Sequence, residues 1–452
     1  MSKKCLFDAA VLPFYDSWEI MNPEDQAIAQ RKKLVEYINF ARSSVPFYKE
    51  RLAGFNESDE EPLAAILPLT SSDLRPLLPP VSTKLLSLTT EYYTVFQSGG
   101  TTGFPKSTLF SFDELEMLNL PNSRGFFAIG LTKEDRVANL FAVGGLYMTF
   151  IHINRMLQQY GCKNFPFSNH TATDFIHTVT KLFGINCFTG IASVILNTMR
   201  GMIHLGIDGL NIEKVFFAGE HLYEADQNEL KEKFGVKCIK SPGYGTVETW
   251  YIGYQCDHCP LGVFHAHNDQ CYIEIVNPDD GKHSGKGVPG LLYVTPFPRR
   301  LTPVIRYSVG DRAKWLSDSC SCGRTTPLFK LMGRGDNILR IGFDSVDYEY
   351  IQQILSEYKG LSSNVQIEKK RVDGRDLLVV RVETTEGEAS SNWMGQMQHE
   401  LEAKITEGRP SLREAVAKES VWPISVEILK PGALPRNSRT GKLIRVVDAI
   451  KG

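Results

Sequence analysis

The sequence predicts a large α/β domain followed by a smaller α+β domain, and three observations support this prediction. The chain has 452 residues, which is more than one hydrophobic core usually serves. Strand-like apolar runs alternate with helical segments, as in a doubly wound sheet; they occupy residues 136–141, 185–189, 214–218 and 237–240. After Gly333 the sequence changes to helix, hairpin, helix and strand. We therefore predict a large N-terminal domain with doubly wound sheets over residues 1–335 and a small C-terminal domain over residues 336–452.

The first predicted helix of the large domain has a clear start. Asn22 is a favourable N-cap and Pro23 suits the first helical position. Glu24 and Asp25 place negative charge in the first turn, where the helix dipole favours it. Apolar residues then recur at helical spacing. We expect this helix to pack by one face and to have a structural role.

The small domain is predicted from local signals. A helix over 347–357 precedes a hairpin whose turn is Asp373-Gly374, a favoured two-residue turn. A second helix and a strand over 424–429 follow. The apolar stripe of that second helix consists of Trp393, Met397, Leu401 and Ile405.

Composition excludes several classes of protein. The formal net charge of -2 gives no polybasic field, which argues against a nucleic-acid binder. No apolar run is long enough to span a membrane, so no membrane partner is expected. The N-terminal lysines are followed by an apolar run that Asp8 interrupts, unlike a secretory signal. We expect a cytoplasmic protein that acts on small molecules.

The segment most informative about function is the loop Ser98-Gly99-Gly100-Thr101-Thr102-Gly103-Phe104-Pro105-Lys106. Glycines let successive amide N–H groups turn toward one anion, and hydroxyls and a lysine add donors and charge. Strand-like residues flank the loop on both sides, at 92–96 and 108–110. The spacing is not that of a Walker A motif. The loop therefore predicts a polyphosphate site of another kind.

Further segments place polar residues directly after predicted strands, where ligands bind in open α/β folds. They are 218–220, 241–248 and 303–311. The carboxylate of Glu248 suits Mg²⁺, a hard ion that takes carboxylates beside phosphate oxygens. The carboxylate of Asp311 can accept two hydroxyl donors. The segment 434–442 ends in Thr440-Gly441-Lys442 and is rich in turn-forming and cationic residues.

Taken together and in this order, the motifs resemble those of the adenylate-forming superfamily, the acyl- and aryl-CoA synthetases, which activate carboxylates with ATP. The resemblance implies that the loop 98–106 holds the β- and γ-phosphates. It implies that Tyr244 forms a wall for adenine, that the Thr246 hydroxyl binds the α-phosphate and that Glu248 binds Mg²⁺. Gly245 belongs to the same motif.

The resemblance also assigns residues outside that motif. Gly219 and Glu220 would contact adenine, and Asp311 would accept both ribose hydroxyls. Arg334 would contact ribose or phosphate, and Asp336 would be the hinge about which a mobile small domain rotates. Lys442 would be the catalytic lysine that stabilises charge between the carboxylate and the α-phosphate.

Four cysteines form two tight groups, Cys256-x-x-Cys259 and Cys320-x-Cys322, which predict a structural zinc site. Their layout resembles the phenylacetate-CoA ligase branch of the superfamily. By that resemblance the ligands are Cys256, His265, Cys320 and Cys322. By spacing alone, Cys259 replaces His265.

The resemblance implies an acyl-adenylate that is transferred to a thiol, most simply coenzyme A. The alternative is an enzyme that loads a carrier protein or forms an amide or ester. A non-catalytic binding protein is a third hypothesis, which retention of Glu248, Asp311 and Lys442 disfavours. No carrier domain follows Gly452, so a carrier protein would act in trans, and a homodimer is a further expectation.

The acid is expected to be aromatic or heteroaromatic, with a medium-chain or unusual biosynthetic acid as the alternative. Its pocket is expected around residues 141–146 and after Glu248. The aromatic side chains there, which are equally suited to a core, are Phe141, Tyr147, Trp250 and Tyr251.

Overall fold

The computed structural model describes residues 17–87, 92–97, 107–219, 222, 224–278, 280–334, 338–341, 344–373, 375–385, 390–417, 419, 421–437 and 441–449. The chain divides into two compact units, one of residues 1–221 and 234–332, the other of residues 222–233 and 333–452. The predicted boundary between residues 335 and 336 lies outside the described residues and stays a prediction. Among the described residues, no helix is both long and apolar enough to cross a membrane.

The first helix forms as the sequence predicts. It spans Pro23–Ser44, and the Asn22 side chain accepts a hydrogen bond from the Glu24 N–H at 2.9 Å. The α-helices described up to residue 234 are α1 (Pro23–Ser44), α2 (Pro46–Arg51), α3 (Ser71–Leu74), α4 (Phe112–Met117), α5 (Asn119–Ala128), α6 (Thr149–Tyr160), α7 (Thr173–Phe183), α8 (Ala192–Leu205) and α9 (Glu224–Phe234).

A two-stranded hairpin carries the predicted phosphate loop. Strands β1 (Thr94–Gln97) and β2 (Ser107–Phe110) pair antiparallel, and Gln97 lies opposite Ser107. The predicted strands on either side of the loop are thus present. The loop itself, residues 98–106, lies outside the described residues.

A five-stranded parallel sheet confirms the predicted doubly wound core. Its strands pair in the order β4-β3-β5-β6-β7, and every pairing is parallel. Helices α6, α7, α8 and α9 connect successive strands, as parallel pairing requires. The strands are β3 (Arg136–Leu140), β4 (Lys163–Pro166), β5 (Cys187–Ile191), β6 (Lys214–Ala218) and β7 (Cys238–Lys240).

A seven-stranded sheet follows in the chain, and the alternation of strands with helices did not predict its form. Its order is β11-β12-β13-β14-β10-β9-β8, with antiparallel pairing of β8 to β9, β9 to β10, β10 to β14, β11 to β12 and β12 to β13. Within the described part of residues 244–334 no helix separates these strands, so short connections suffice. The strands are β8 (Tyr244–Thr246), β9 (Trp250–Tyr254), β10 (Val263–Ala266), β11 (Cys271–Val276), β12 (Gly290–Pro296), β13 (Tyr307–Trp315) and β14 (Leu328–Arg334).

Helix α1 covers this sheet with its apolar face. Leu34, Tyr37, Ile38 and Ala41 are fully buried in one core with residues of β11, β12 and β13. The Tyr37 hydroxyl donates to the carbonyl of Arg299 at 2.6 Å. The structural role predicted for this helix follows from that packing.

The second unit has its own sheet and core. Its sheet has the order β19-β18-β17-β20, and the predicted Asp373-Gly374 turn joins the antiparallel strands β17 and β18, although Gly374 is outside the described residues. The predicted stripe on α11 packs into the core, where Leu401 and Ile405 are fully buried. The elements are β15 (Ile338–Ile341), β16 (Asp344–Asp347), α10 (Tyr348–Leu355), β17 (Leu361–Val372), β18 (Arg375–Thr384), α11 (Ser391–Glu407), α12 (Pro410–Ala417), β19 (Ser425–Leu429) and β20 (Val446–Asp448).

Candidate nucleotide site and metal cluster

Two residues predicted to bind the nucleoside come together in the seven-stranded sheet. The Tyr244 hydroxyl on β8 donates a hydrogen bond to Asp311 Oδ2 on β13. The Tyr244 ring lies 5.6 Å from the ring of Phe264 and 6.0 Å from that of Phe329, centroid to centroid. These aromatic contacts fix the ring plane on one side. Tyr244 and Asp311 are both only partly buried, so a ligand can reach them.

Asp311 lies on β13, and hydrogen bonds of Arg306 hold the start of this strand in place. The residue before it, Gly310, has a φ of 83°, a conformation that favours glycine. Upstream, the Arg306 backbone N–H donates to Thr295 Oγ1 at 2.9 Å. The Arg306 guanidinium donates to Glu274 Oε1 at 3.2 Å. The Leu69 N–H donates to the Arg306 carbonyl, directly before β13, at 2.9 Å. The ribose-binding candidate therefore stands on a fixed backbone.

The turn between β8 and β9 holds the next two predicted residues. The Thr246 hydroxyl accepts the Thr249 N–H at 3.1 Å and lies 3.0 Å from the Thr249 hydroxyl. Glu248 lies within this turn and is only 4% exposed. Gly245 is required there, because a Cβ would sit 1.9 Å from the Trp250 carbonyl oxygen. The turn thus presents a hydroxyl and a carboxylate on a tightly closed backbone.

A buried arginine, which the sequence analysis did not single out, lies behind this turn. Arg299 is fully buried and donates to Glu114 Oε2 at 3.2 Å and to Thr108 Oγ1 at 2.9 Å. Burial lowers the pKa of the Arg299 guanidinium, and the carboxylates of Glu114 and Glu248 oppose that shift. Thr108 is on β2, the strand that leaves the loop 98–106. The Arg299 guanidinium therefore bonds the hairpin that carries the predicted phosphate loop and also interacts electrostatically with the Glu248 carboxylate.

The other predicted nucleotide residues are only partly described. Gly219 follows β6 with a φ of 80°, which favours glycine after a strand. Arg334 ends β14, but its side chain is outside the description. Glu220, Asp336 and every residue of the phosphate loop, including Ser98, Thr101, Gly103 and Lys106, lie outside the described residues. Their roles stay predictions.

Lys442 lies in the second unit on a short hairpin. Arg436 and Leu443 form an antiparallel bridge, and the Asn437 N–H donates to the Lys442 carbonyl at 2.8 Å. Gly441 has a φ of 74°, as the turn before Lys442 requires. The Lys442 side chain is partly exposed. The hairpin holds the backbone of the predicted catalytic lysine while leaving its side chain accessible.

The grouped cysteines converge with one histidine. The ligand atoms of Cys256, Cys259, His265 and Cys320 all lie within 4.8 Å of one another. The Cys256 sulfur is 3.4 Å from that of Cys259 and 3.5 Å from that of Cys320. A tetrahedral zinc with Zn–S bonds of about 2.3 Å separates its sulfurs by about 3.8 Å. The donor set therefore fits zinc in both chemistry and spacing.

Cys322 lies beside this group of donors. Its sulfur lies 3.4 Å from His265 Nε2, and the other ring nitrogen of His265, Nδ1, lies 3.0 Å from the Thr326 hydroxyl. A hydrogen bond from Nδ1 orients the ring and leaves Nε2 for a metal. Both predicted ligand sets contain Cys256, Cys320 and Cys322, and they differ only in whether the fourth ligand is His265 or Cys259. The four donors that lie within 4.8 Å of one another include both His265 and Cys259 but not Cys322.

A network of buried charges lies beside this cluster. The Arg124 guanidinium bonds the Asp269 carboxylate through two nitrogens, at 3.0 and 3.1 Å. The Arg324 Nε donates to Glu19 Oε1 at 2.6 Å, and the Tyr254 hydroxyl donates to the same carboxylate. Burial alone would raise the pKa of Asp269, but Arg124 outweighs it and lowers the value to about 2. The charges of this network are thus matched within the chain.

The predicted acid pocket is only partly open. Phe141 is fully buried in a core with α6, whereas Tyr147 and Tyr251 are partly exposed. The segment between β3 and α6 is irregular, because Gly144, Gly145 and Leu146 all have positive φ. The backbone carbonyl of Leu146 accepts the Gln97 N–H at 2.9 Å. This segment therefore borders the strand that enters the predicted phosphate loop.

Comparisons with known proteins find a matching family model and similar sequences. A family model described as the AMP-binding enzyme C-terminal domain matches residues 349–449. The chain is 25% identical to phenylacetate-coenzyme A ligase of Thermus thermophilus, over 96% of this chain and 98% of that protein. It is 24% identical to indoleacetate–lysine synthetase of Pseudomonas savastanoi, over 78% of this chain and 83% of that protein.

A solved structure has the same fold over almost the whole chain. The crystal structure of 2-hydroxyisobutyryl-CoA ligase in the postadenylation state, in complex with 2-HIB-AMP, matches with a TM-score of 0.79. The match covers 98% of this chain and 95% of that one at 21% sequence identity. At this identity the likeness establishes the fold.

Proposed function

We propose that this chain, a member of the adenylate-forming, AMP-binding superfamily, is an AMP-forming ligase that joins a carboxylic acid to coenzyme A. In the first step a carboxylate oxygen attacks the α-phosphorus of ATP, and pyrophosphate leaves. In the second step the thiol sulfur attacks the acyl carbon, its proton is lost and AMP leaves. The relative from Thermus thermophilus, a phenylacetate-coenzyme A ligase, supports coenzyme A as the acceptor and an aromatic acid as the substrate.

The observation that carries this proposal is the hydrogen bond between Tyr244 and Asp311, which are 67 positions apart in sequence. An aromatic ring beside an acidic acceptor suits a nucleoside, since the ring stacks on the base and the carboxylate accepts ribose hydroxyls. Thr246 and Glu248 follow Tyr244 in one closed turn, so a phosphate and its magnesium ion would lie at a fixed distance from the nucleoside. The loop 98–106 would bind the β- and γ-phosphates. Gly219 and Arg334 would complete the nucleotide contacts, together with Glu220 and the hinge residue Asp336.

The ion-binding residues have two separate roles in the proposal. Mg²⁺, held by Glu248 and phosphate oxygens, would neutralise charge on the nucleotide. Zinc, held by four of the five donors Cys256, Cys259, His265, Cys320 and Cys322, would be structural. A cytoplasmic location, a homodimer and a carrier protein in trans stay predictions.

ATP–pyrophosphate exchange across a panel of aromatic and short aliphatic acids tests the first step. At least one acid should support exchange, and Lys442→Ala should lower the rate by on the order of 10²- to 10³-fold, as for loss of one group that stabilises transition-state charge. Lys430→Ala is the matched control, because Lys430 is an exposed lysine of the same unit. If no acid supports exchange above the Lys442→Ala background, the ligase proposal is wrong.

A second candidate function changes only the acceptor. The similarity to an indoleacetate–lysine synthetase favours testing an amine as well as a thiol. AMP release with the best acid should therefore be measured with coenzyme A, with lysine and with neither. Release that needs coenzyme A supports the thioester, and release that needs lysine supports the amide.

A further inference from the structure

Helix α5 carries polar side chains that are buried yet have no partner in the chain. Asn119, Asn122 and Ser123 lie on one face, since positions three and four apart are neighbours on a helix. They are 1%, 1% and 0% exposed. Both polar atoms of the Asn119 side chain, Asn122 Oδ1 and Ser123 Oγ make no hydrogen bond within the structure as described. Buried polar groups are almost always bonded, so this face calls for an explanation.

Helix α6 adds a neutral imidazole to this face. The Asn122 amide nitrogen lies 2.9 Å from His152 Nε2. Burial lowers the pKa of His152 to about 3, with a smaller contribution from Arg155. The neutral ring therefore accepts from Asn122 at Nε2 and carries its own proton at Nδ1, where it can donate. The imidazole adds a donor without adding charge.

Strand β9 closes the cluster with a tryptophan. The Trp250 ring stands edge-on to the His152 ring, with 4.6 Å between centroids. Trp250 is 6% exposed, and its Nε1–H has no acceptor among the described residues. The Tyr251 ring is also 6.0 Å from His152. Trp250 and Tyr251 are the residues after Glu248 that the sequence analysis placed around the acid.

Helix α5 has no room to shift toward the segment that precedes Tyr244. A Cβ on Gly125 would lie 1.9 Å from the Pro242 carbonyl oxygen, so α5 touches the segment that leads into the Tyr244 motif. The unpartnered face is therefore held at a fixed distance from the turn that contains Glu248.

We infer that this polar cluster is the distal end of the acid pocket, and that the substrate is a carboxylic acid with a neutral hydrogen-bonding group away from its carboxylate. The inference rests on the proposed ligase function. Asn119 offers both a donor and an acceptor, Trp250 a donor and Ser123 either, which matches a hydroxyl, an amide or a ring N–H. None of the five side chains that form the cluster carries a charge, so a second carboxylate or an ammonium group is disfavoured.

Exchange assays with matched acids test this inference. Phenylacetate and 4-methylphenylacetate are compared with 2-, 3- and 4-hydroxyphenylacetate and with indole-3-acetate, each of which adds one neutral donor. A site built to bond such a group rejects the analogue that lacks it, so the best polar acid should exceed its apolar counterpart in kcat/KM by ~10²-fold or more. If the apolar acids are used as well as every polar one, the inference is overturned while the ligase function stands. If no acid supports exchange above the Lys442→Ala background, both fail together.

Substitution of the cluster separates recognition from structure. Asn119→Leu keeps the approximate side-chain volume and should reduce the preference for the polar acid by at least about tenfold, with Ser123→Ala acting in the same direction. Asn197→Leu, at an exposed asparagine on α8, is the matched control and should leave the preference unchanged. Thermal unfolding is followed in parallel. If Asn119→Leu lowers the unfolding temperature but not the preference, the cluster serves a bound water and the inference is wrong.

Discussion

The large unit contains two buried polar regions, and they differ in where their partners lie. Around the metal cluster, Arg124 pairs with Asp269 and Arg324 pairs with Glu19, so each buried charge meets its opposite within the chain. On α5, Asn119 and Ser123 are equally buried but their polar atoms have no partner among the described residues. Partners inside the chain favour stability, whereas atoms without partners favour a ligand. We expect substitutions in the first region to change folding and those in the second to change selectivity.

The largest effect is expected when a ligand of the proposed zinc site in the first region is removed. Cys256→Ser removes a donor that both predicted ligand sets share. Structural zinc typically contributes on the order of 10 kcal/mol, so loss of even half would lower the unfolding free energy of the large unit by about 5 kcal/mol. Metal content by elemental analysis and hydrogen exchange of the β9–β10 region measure the effect. Cys271→Ser, at a buried cysteine outside the cluster, is the control.

The same measurement decides between the two ligand sets. Cys259→Ser and His265→Ala are compared, because the two sets differ only in these two residues, and the variant that keeps one zinc per chain identifies the side chain that is not a ligand. Retention of full metal content by Cys256→Ser would contradict the zinc site itself.

The next largest loss of unfolding free energy is expected when the buried ion pair between Arg124 and Asp269 is broken. Arg124→Leu leaves the Asp269 carboxylate buried without its guanidinium, and removal of one member of a buried pair costs about 3–5 kcal/mol of unfolding free energy. Lys237→Leu is the control, because that lysine pairs with Glu213 at the surface and its side chain is 73% exposed. The control should cost at most about 1 kcal/mol. If denaturant unfolding shows the same loss of unfolding free energy for Arg124→Leu and Lys237→Leu, the buried pair does not stabilise the fold as expected and the distinction between the two regions fails.

The smallest effect concerns pH and His152. Its pKa in the folded protein, about 3, is below the unfolded value of about 6.5, so the unfolded state binds more protons between these values. Stability is therefore unaffected above pH 6.5 and falls as pH decreases toward 3, by at most about 1.4 kcal/mol per unit. His152→Gln should remove about 2 kcal/mol of the loss between pH 8 and pH 5.

Unfolding by urea at pH 5 and pH 8 checks this result, with His204→Gln as the control because His204 is exposed on α8. A His152→Gln variant whose stability follows pH as the parent protein does would show that His152 is not buried as a neutral ring.

The sequence predicted the local features of the fold well, because each rested on adjacent residues. The strand Lys214–Ala218, the Asn22 cap and the hairpin that pairs Val372 with Arg375 are confirmed. The antiparallel pairing of the larger sheet was not predicted, since strand periodicity does not reveal which strands are neighbours.

In the candidate site, too, features carried by adjacent residues could be predicted and contacts between distant residues could not. Tyr244, Glu248 and Asp311 could be predicted as site residues because they lie in recognisable motifs, and the structure adds that Tyr244 and Asp311 are hydrogen-bonded. The pair of Glu19 and Arg324 is separated by 305 positions, so no local pattern could indicate it. The polar face of α5 was missed because a buried asparagine looks like an exposed one in sequence.

The close approach of Gly125 to the Pro242 carbonyl has a practical consequence for redesign. Since any larger residue there would collide with backbone, Gly125 has to be kept if the position of α5 is to stay the same. New acids would instead be accommodated by exchanging the side chains at positions 119, 122 and 123 on an unchanged scaffold. A small combinatorial library confined to those three positions should therefore yield altered acid selectivity while adenylation chemistry is retained.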